Sequence, residues 1–188
     1  MNRALFLDRD GVLDELVFYP DTGEWAAPRR LEDVRFIDGA GGAARRAHAA
    51  GWLLVIVTNQ PDFAKGKTTL DDLHAVHDAV VGNLPIAKSC VCHHHPNAVV
   101  EELRIVCECR KPGALSLRNA ARELDIDLAR SWMIGDQDTD LRAGRAAGCR
   151  VALIEGPHLR AVDNPVEPDL RVASLAEFVA RVVENRAP

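Results

Sequence analysis

Short apolar runs that end abruptly in polar residues recur along the chain. Ala4-Leu5-Phe6-Leu7 passes into Asp8-Arg9-Asp10-Gly11, and Trp52-Leu53-Leu54-Val55-Ile56-Val57 into Thr58-Asn59-Gln60-Pro61. Trp132-Met133-Ile134, preceded by Arg130-Ser131, passes into Gly135-Asp136-Gln137-Asp138-Thr139-Asp140, and Arg150 to Ile154 forms a further run. Continuous runs of this length predict strands buried on both faces, as parallel sheets require. Asp169 to Val172 reads as a weaker strand at a sheet edge.

Helical stretches with start and stop signals separate these runs. Asp38 to Ala50 is alanine-rich, with Asp38 as its cap and Gly51 as its stop; a helix from Thr68 or Thr69 to about Leu84 carries Asp71 and Asp72 in its first turn. Gly113 to Leu124, Leu141 to Ala147 before Gly148, and Ser174 to Asn185 follow, the last with Glu177 in the capping-box position. Strands alternating with helices predict an α/β fold with a doubly wound, mainly parallel, Rossmann-like sheet. Asp14 to Arg35 lacks either periodicity and reads as a long ordered loop or short hairpin over the first strand end, with Tyr19 and Trp25 either covering a ligand or pinning the loop.

At 188 residues the chain suits one domain, 1–188, with a flap loop at about 14–35 and a loop insertion at about 88–111. The net charge of -5 offers no basic surface for nucleic acid, so polyanion binding is set aside apart from small phosphate ligands. No run is long enough to span a bilayer, and Asp8 comes too early for a signal peptide; a monomeric, cytoplasmic protein is the expectation.

Ligands of open parallel sheets sit beyond the carboxyl ends of the strands. Three such ends here carry Asp8 and Asp10, Thr58 and Asn59, and Asp136 and Asp140, and Arg110-Lys111 adds two cations before a helix. Alternation puts Asp8 and Asp10 on one side of an extended chain, where they can share a divalent cation with a phosphate. D-x-D-G alone is also an ordinary Asx-rich turn; the other strand ends favour a site. Cys92-x-His94 and Cys107-x-Cys109 supply soft ligands in two short pairs, suited to a closed tetrahedral Zn²⁺ site, although spacing leaves His93 and His95 open as well. Disulfides are the alternative for these cysteines, disfavoured by the expected compartment. Cys90 and Cys149 are left over, and His74 and His77 read as surface or packing residues.

Asp8-x-Asp10, Thr58, Lys111 and Gly135-Asp136-x-x-x-Asp140 resemble the motifs of the haloacid dehalogenase superfamily of phosphatases. More narrowly, Asp8-Arg9-Asp10-Gly11, Val57-Thr58-Asn59-Gln60, Cys92-x-His94-His95-Pro96, Val106-Cys107-x-Cys109-Arg110-Lys111-Pro112 and Gly135-Asp136 resemble the D-glycero-D-manno-heptose-1,7-bisphosphate 7-phosphatases and the histidinol-phosphate phosphatases. The resemblance implies a fold of haloacid dehalogenase type with no separate cap domain, and a Mg²⁺-dependent phosphomonoester hydrolase working through an aspartyl-phosphate on Asp8. It makes Asp10 the general acid and base, and Thr58, Asn59 and Lys111 the grip on the phosphoryl oxygens. It gives Mg²⁺ to Asp8, Asp136 and the main-chain carbonyl of Asp10, and structural Zn²⁺ to Cys92, His94, Cys107 and Cys109. It places Asp140 behind Lys111, with a helix-start role as its rival. Arg110 is then set to bind the far phosphate of a small phosphorylated sugar. The expected reaction is removal of the 7-phosphate of heptose 1,7-bisphosphate. Histidinol phosphate or another small phosphomonoester is the alternative substrate, and a zinc-stabilised binding module without catalysis is the alternative class. Gln137 where these enzymes commonly have lysine, Pro61-Asp62-Phe63, Gly113 directly after Pro112 and the long flap depart from the narrower pattern.

Overall fold

A computed structural model describes residues 1–184. In chain order the elements are β1 (Ala4–Leu7), β2 (Val17–Tyr19), β3 (Glu24–Ala26), α1 (Ala40–Ala49), β4 (Leu53–Asn59), α2 (Leu70–Val81) and β5 (Ile86–Cys92). They continue with α3 (Leu115–Glu123), β6 (Trp132–Gly135), α4 (Asp138–Ala147), β7 (Arg150–Ile154), β8 (Leu170–Val172) and α5 (Leu175–Phe178), which runs on into π-helical turns over Val179–Glu184.

Six strands form one parallel sheet in the order β5-β4-β1-β6-β7-β8. The chain therefore winds outward from β1 through β4 and β5, returns, and winds the other way through β6, β7 and β8. The reversal lies between β1 and β6, the place where a doubly wound sheet opens a crevice at its carboxyl ends.

The continuous apolar runs are continuous because both faces are covered. Leu5, Leu7, Leu54, Ile56 and Ile134 face a core closed by α1 and Phe178. The alternate residues Phe6, Val55, Val57, Met133 and Val151 face a second core closed by Leu117 of α3 and Leu141 of α4. Burial of this kind is worth roughly 1.5–3 kcal/mol per large side chain.

Several boundaries differ from the sequence expectations. Helix α1 begins at Ala40 behind Gly39, whose φ is 74°, and Asp38 does not cap it. Helix α2 is capped by Thr69, which accepts from the Asp72 amide at 3.1 Å, and it ends at Val81, short of Leu84. Helix α4 starts at Asp138, three residues ahead of expectation, and stops at left-handed Gly148. The terminal helix is capped by Ser174, whose hydroxyl accepts from Glu177 N at 3.2 Å; Asn185, its expected end, lies outside the described residues.

The larger miss is β5. Its residues alternate between half-buried and exposed and include Lys88 and Ser89, so they carry no continuous apolar signal and were absorbed into the expected metal loop. Of the two readings of Asp14 to Arg35, the hairpin holds: β2 and β3 pair antiparallel. Among the described residues no helix is long and apolar enough to cross a membrane.

Candidate active site

The crevice between β1 and β6 gathers residues from three strand ends, those of β1, β4 and β6, and from the segment before α3. Asp8 follows β1, Asp136 follows β6, and Lys111 enters from the side with its Nζ 2.8 Å from Asp8 Oδ1 and 2.6 Å from Asp140 Oδ1. Lys111 is 3% exposed and Asp140 is fully buried. One carboxylate oxygen each of Asp8, Asp136 and Asp140 lies within 4.8 Å of the others.

Two glycines make this approach possible. Gly11, with φ 80°, turns the chain immediately after the D-x-D pair, and a side chain there would run into the Asp136 carboxylate. A side chain at Gly135 would collide with Asp140.

The buried charges do not balance. Burial pushes the Asp8 carboxyl up to about 8, Lys111 opposing and Asp140, Asp10 and Asp136 adding to the rise. Burial, then Asp140, pushes Asp136 up to about 6. Burial works against the charge of Lys111, yet Asp140 and Asp8 hold its ammonium above the usual lysine range. Lys111 thus neutralises part of a carboxylate cluster that still lacks positive charge. Hard oxygen donors in that condition fit Mg²⁺. Asp140 spends Oδ1 on Lys111 and accepts from the Gln137 amide on Oδ2 at 3.0 Å, so Asp8 and Asp136 are the carboxylates left to hold an ion. Both expectations for Asp140, support of Lys111 and a helix-start bond, describe it.

Asp10 is held from both sides. Its Oδ1 accepts from Arg9 Nη2 at 2.7 Å, and its Oδ2 accepts from Gln60 Nε2 at 2.5 Å and from Thr58 Oγ1 at 3.4 Å. Gln60 also donates to Thr58 Oγ1 at 2.9 Å, and Arg9, fully buried, reaches the equally buried Asp14 at 3.8 Å. Arg9, Gln60 and Asp14 carried no role in the sequence reading. They act through another residue, and for Gln60 no local pattern marks a partner fifty residues away.

Asn59 has a part beyond the expected one. Its Oδ1 accepts from Lys111 N at 3.0 Å and its Nδ2 donates to Lys111 O at 3.1 Å, a two-bond clamp on the lysine's main chain. The carboxamide thus positions Lys111, and Asn59 also lines the cavity that holds Asp8.

The thiols form a second centre. Cys109 Sγ lies 3.5 Å from Cys92 Sγ and 3.0 Å from Cys107 Sγ, Cys92 and Cys107 are 3.6 Å apart, and His94 Nδ1 stands 3.4 Å from Cys109 Sγ and 3.8 Å from Cys92 Sγ. None of these cysteines is joined in a disulfide, and a tetrahedral Zn²⁺ with bonds of about 2.0–2.3 Å sets neighbouring donors about 3.4–3.8 Å apart. The geometry picks His94 from three adjacent histidines: His93 Nδ1 is bonded to Gln60 O at 2.9 Å and His95 Nδ1 accepts from Asn97 N at 3.1 Å. His74 and His77 join no metal-capable cluster among the described residues.

A cavity of about 820 Å³ opens over Asp8, Asp10 and Asp136. Its far lining includes Trp25, Lys65, Arg110 and Arg160. Lys67 and Asp62, also in the lining, are paired with Glu24 at 3.1 Å and Arg29 at 2.9 Å. Tyr19 pins the hairpin, its hydroxyl donating to Asp33 at 3.0 Å and accepting from Arg29 N at 2.8 Å. Trp25 instead faces the cavity, its ring 4.2 Å from that of His158.

A family model of HAD-hydrolase-like proteins matches residues 108–178. The D-glycero-beta-D-manno-heptose-1,7-bisphosphate 7-phosphatase of Rhodopseudomonas palustris is 34% identical over 158 residues, covering 81% of this chain and 83% of that protein. The Escherichia coli K12 protein of the same name is 32% identical over 198 residues, covering 98% and 96%. This chain is a phosphatase of the haloacid dehalogenase superfamily. The solved D,D-heptose 1,7-bisphosphate phosphatase of B. bronchiseptica, complexed with magnesium and phosphate, superposes with a TM-score of 0.79 at 28% identity, covering 98% of this chain and 99% of that one. Membership sets aside the binding-module alternative.

Proposed function

We propose that this phosphatase removes the 7-phosphate of D-glycero-D-manno-heptose 1,7-bisphosphate, as a single cytoplasmic, monomeric domain. The observation that carries the substrate class is the lining of the large cavity. Lys65, Arg110 and Arg160 share it with Asp8, and among the described residues none of the three forms an ion pair. Unpaired cations in the cavity that holds the nucleophile suit a substrate with a second anionic group, and the similar proteins of Rhodopseudomonas palustris, Escherichia coli and B. bronchiseptica are named as heptose 1,7-bisphosphate phosphatases.

In this reading Asp8 attacks phosphorus, forming an acyl phosphate as the ester oxygen leaves. Asp10 gives that oxygen its proton and then takes one from the water that cleaves the acyl phosphate. Arg9 and Gln60 fix the Asp10 carboxyl for both tasks. Lys111 stays beside Asp8 and, with Thr58, holds the phosphoryl oxygens; Asn59 and Asp140 hold Lys111. Asp8, Asp136 and the Asp10 carbonyl would bind Mg²⁺, which when bound offsets the charge between carboxylate and phosphate dianion. Cys92, His94, Cys107 and Cys109 would bind structural Zn²⁺, fixing the segment that ends in Arg110 and Lys111.

Steady-state hydrolysis with Mg²⁺ tests the substrate. The heptose bisphosphate is expected to exceed histidinol phosphate in kcat/KM by about tenfold or more, the worth of one charge-assisted contact. Equal values, or preference for histidinol phosphate, would replace the proposal with the alternative. Zinc removal with a chelator, followed by restored Mg²⁺, is expected to speed amide exchange across 92–111 by about tenfold or more. Unchanged exchange there would remove the structural metal from the account.

A further inference from the structure

The loop between β7 and β8 supplies Pro157, His158, Leu159 and Arg160 to the large cavity. Its later half is tied to α4: Val166 N donates to Asp138 Oδ1 at 2.7 Å, and Arg142 and Arg145 donate to Asn164 O and Glu167 O. The earlier half, the part that faces the cavity, has one polar tether to the body of the protein. Gln137 Nε2 donates to His158 O at 3.1 Å, and Arg160 N donates to Gln137 Oε1 at 3.2 Å. Among the described residues no other side chain is hydrogen-bonded to residues 156–160. The same Nε2 donates to Asp136 Oδ2 at 2.9 Å. Both Nε2 hydrogens and the oxygen of the carboxamide are therefore in use, and they join an acid of the reaction centre to two main-chain groups of the wall.

We propose that Gln137 is a positioning residue that sets specificity: it fixes the 156–160 wall so that Arg160 and the stacked pair Trp25 and His158 meet the non-reacting end of the substrate. The inference rests on the bisphosphate reading for the identity of that end. A primary amide suits this task because it donates and accepts at once. A residue that only donates leaves the Arg160 amide without its acceptor, and an apolar residue releases both main-chain bonds. Of the contacts named here the wall then keeps the ring contact of His158 with Trp25, which is 45% exposed.

The test is Gln137→Met, close in length and without these hydrogen bonds. Amide exchange at Arg160 and its neighbours is expected to rise, because the bond protecting Arg160 N is gone. KM for heptose 1,7-bisphosphate is expected to rise about tenfold more than KM for p-nitrophenyl phosphate, which has no distal charge for the wall to meet. Trp25→Ala, at an exposed position, is expected to shift the same ratio in the same direction, and the double variant to shift it by less than the product of the two. Unchanged exchange at Arg160, or an equal fall in kcat for both esters with an unchanged KM ratio, would overturn the proposal and leave Gln137 as a support of Asp136 alone. Failure of the wild-type enzyme to prefer the bisphosphate would instead sink the substrate reading, and the exchange measurement would still decide the role of Gln137.

Discussion

Asp8→Asn is expected to yield a folded protein whose kcat is lower by about four orders of magnitude or more, because the group proposed to form the bond to phosphorus is gone. The fold should not suffer. Asparagine has the shape of aspartate, and the native carboxylate is held at a buried position where desolvation and three neighbouring acids oppose its charge. Lys111 retains Asp140 at 2.6 Å as a partner. Thermal unfolding should therefore show a midpoint at or above that of the native protein, alongside the lost turnover. Substantial remaining activity in a preparation free of native enzyme would end the assignment of Asp8 as nucleophile.

Lys111→Met is expected to fail in the opposite way, damaging both turnover and stability. The ammonium stands between Asp8 and Asp140, and methionine fills much of the same space without the charge. Removing one member of a buried ionic cluster costs about 3–5 kcal/mol, since the remaining charges are left without compensation. For a chain of this size that corresponds to a Tm lower by roughly 6–20 °C. Added Mg²⁺ should recover part of the loss, because an ion bound by the folded state and not by the unfolded one stabilises the former. A Tm equal to that of the native protein, with or without Mg²⁺, would mean that the lysine is not the counter-charge of the cluster.

How far the molecule could be read from its sequence follows from where each signal is stored. Strands β1, β4, β6 and β7 were legible because burial on both faces writes itself as an unbroken apolar run. Their carboxyl ends exposed Asp8, Thr58 and Asp136 by the same logic. Strand β5 was not legible, since an edge strand with Lys88 and Ser89 on it looks like part of a loop. The Zn²⁺ ligand pattern was visible, but the choice among His93, His94 and His95 needed coordinates: each ring nitrogen finds a different partner. Least legible were residues that act through others. The motifs do not tell that Asn59 clamps the main chain of Lys111, that Gln60 and Arg9 hold Asp10, or that Gln137 joins Asp136 to the wall.

Arg29, which follows β3, reaches back along the hairpin: its guanidinium lies 3.7 Å from the centre of the Tyr19 ring beside the turn, and its carbonyl accepts from Thr68 Oγ1 at 2.7 Å. One arginine thus ties the turn of the hairpin to the segment that leads into α2, and the roof over the cavity is moored to the body of the protein through it.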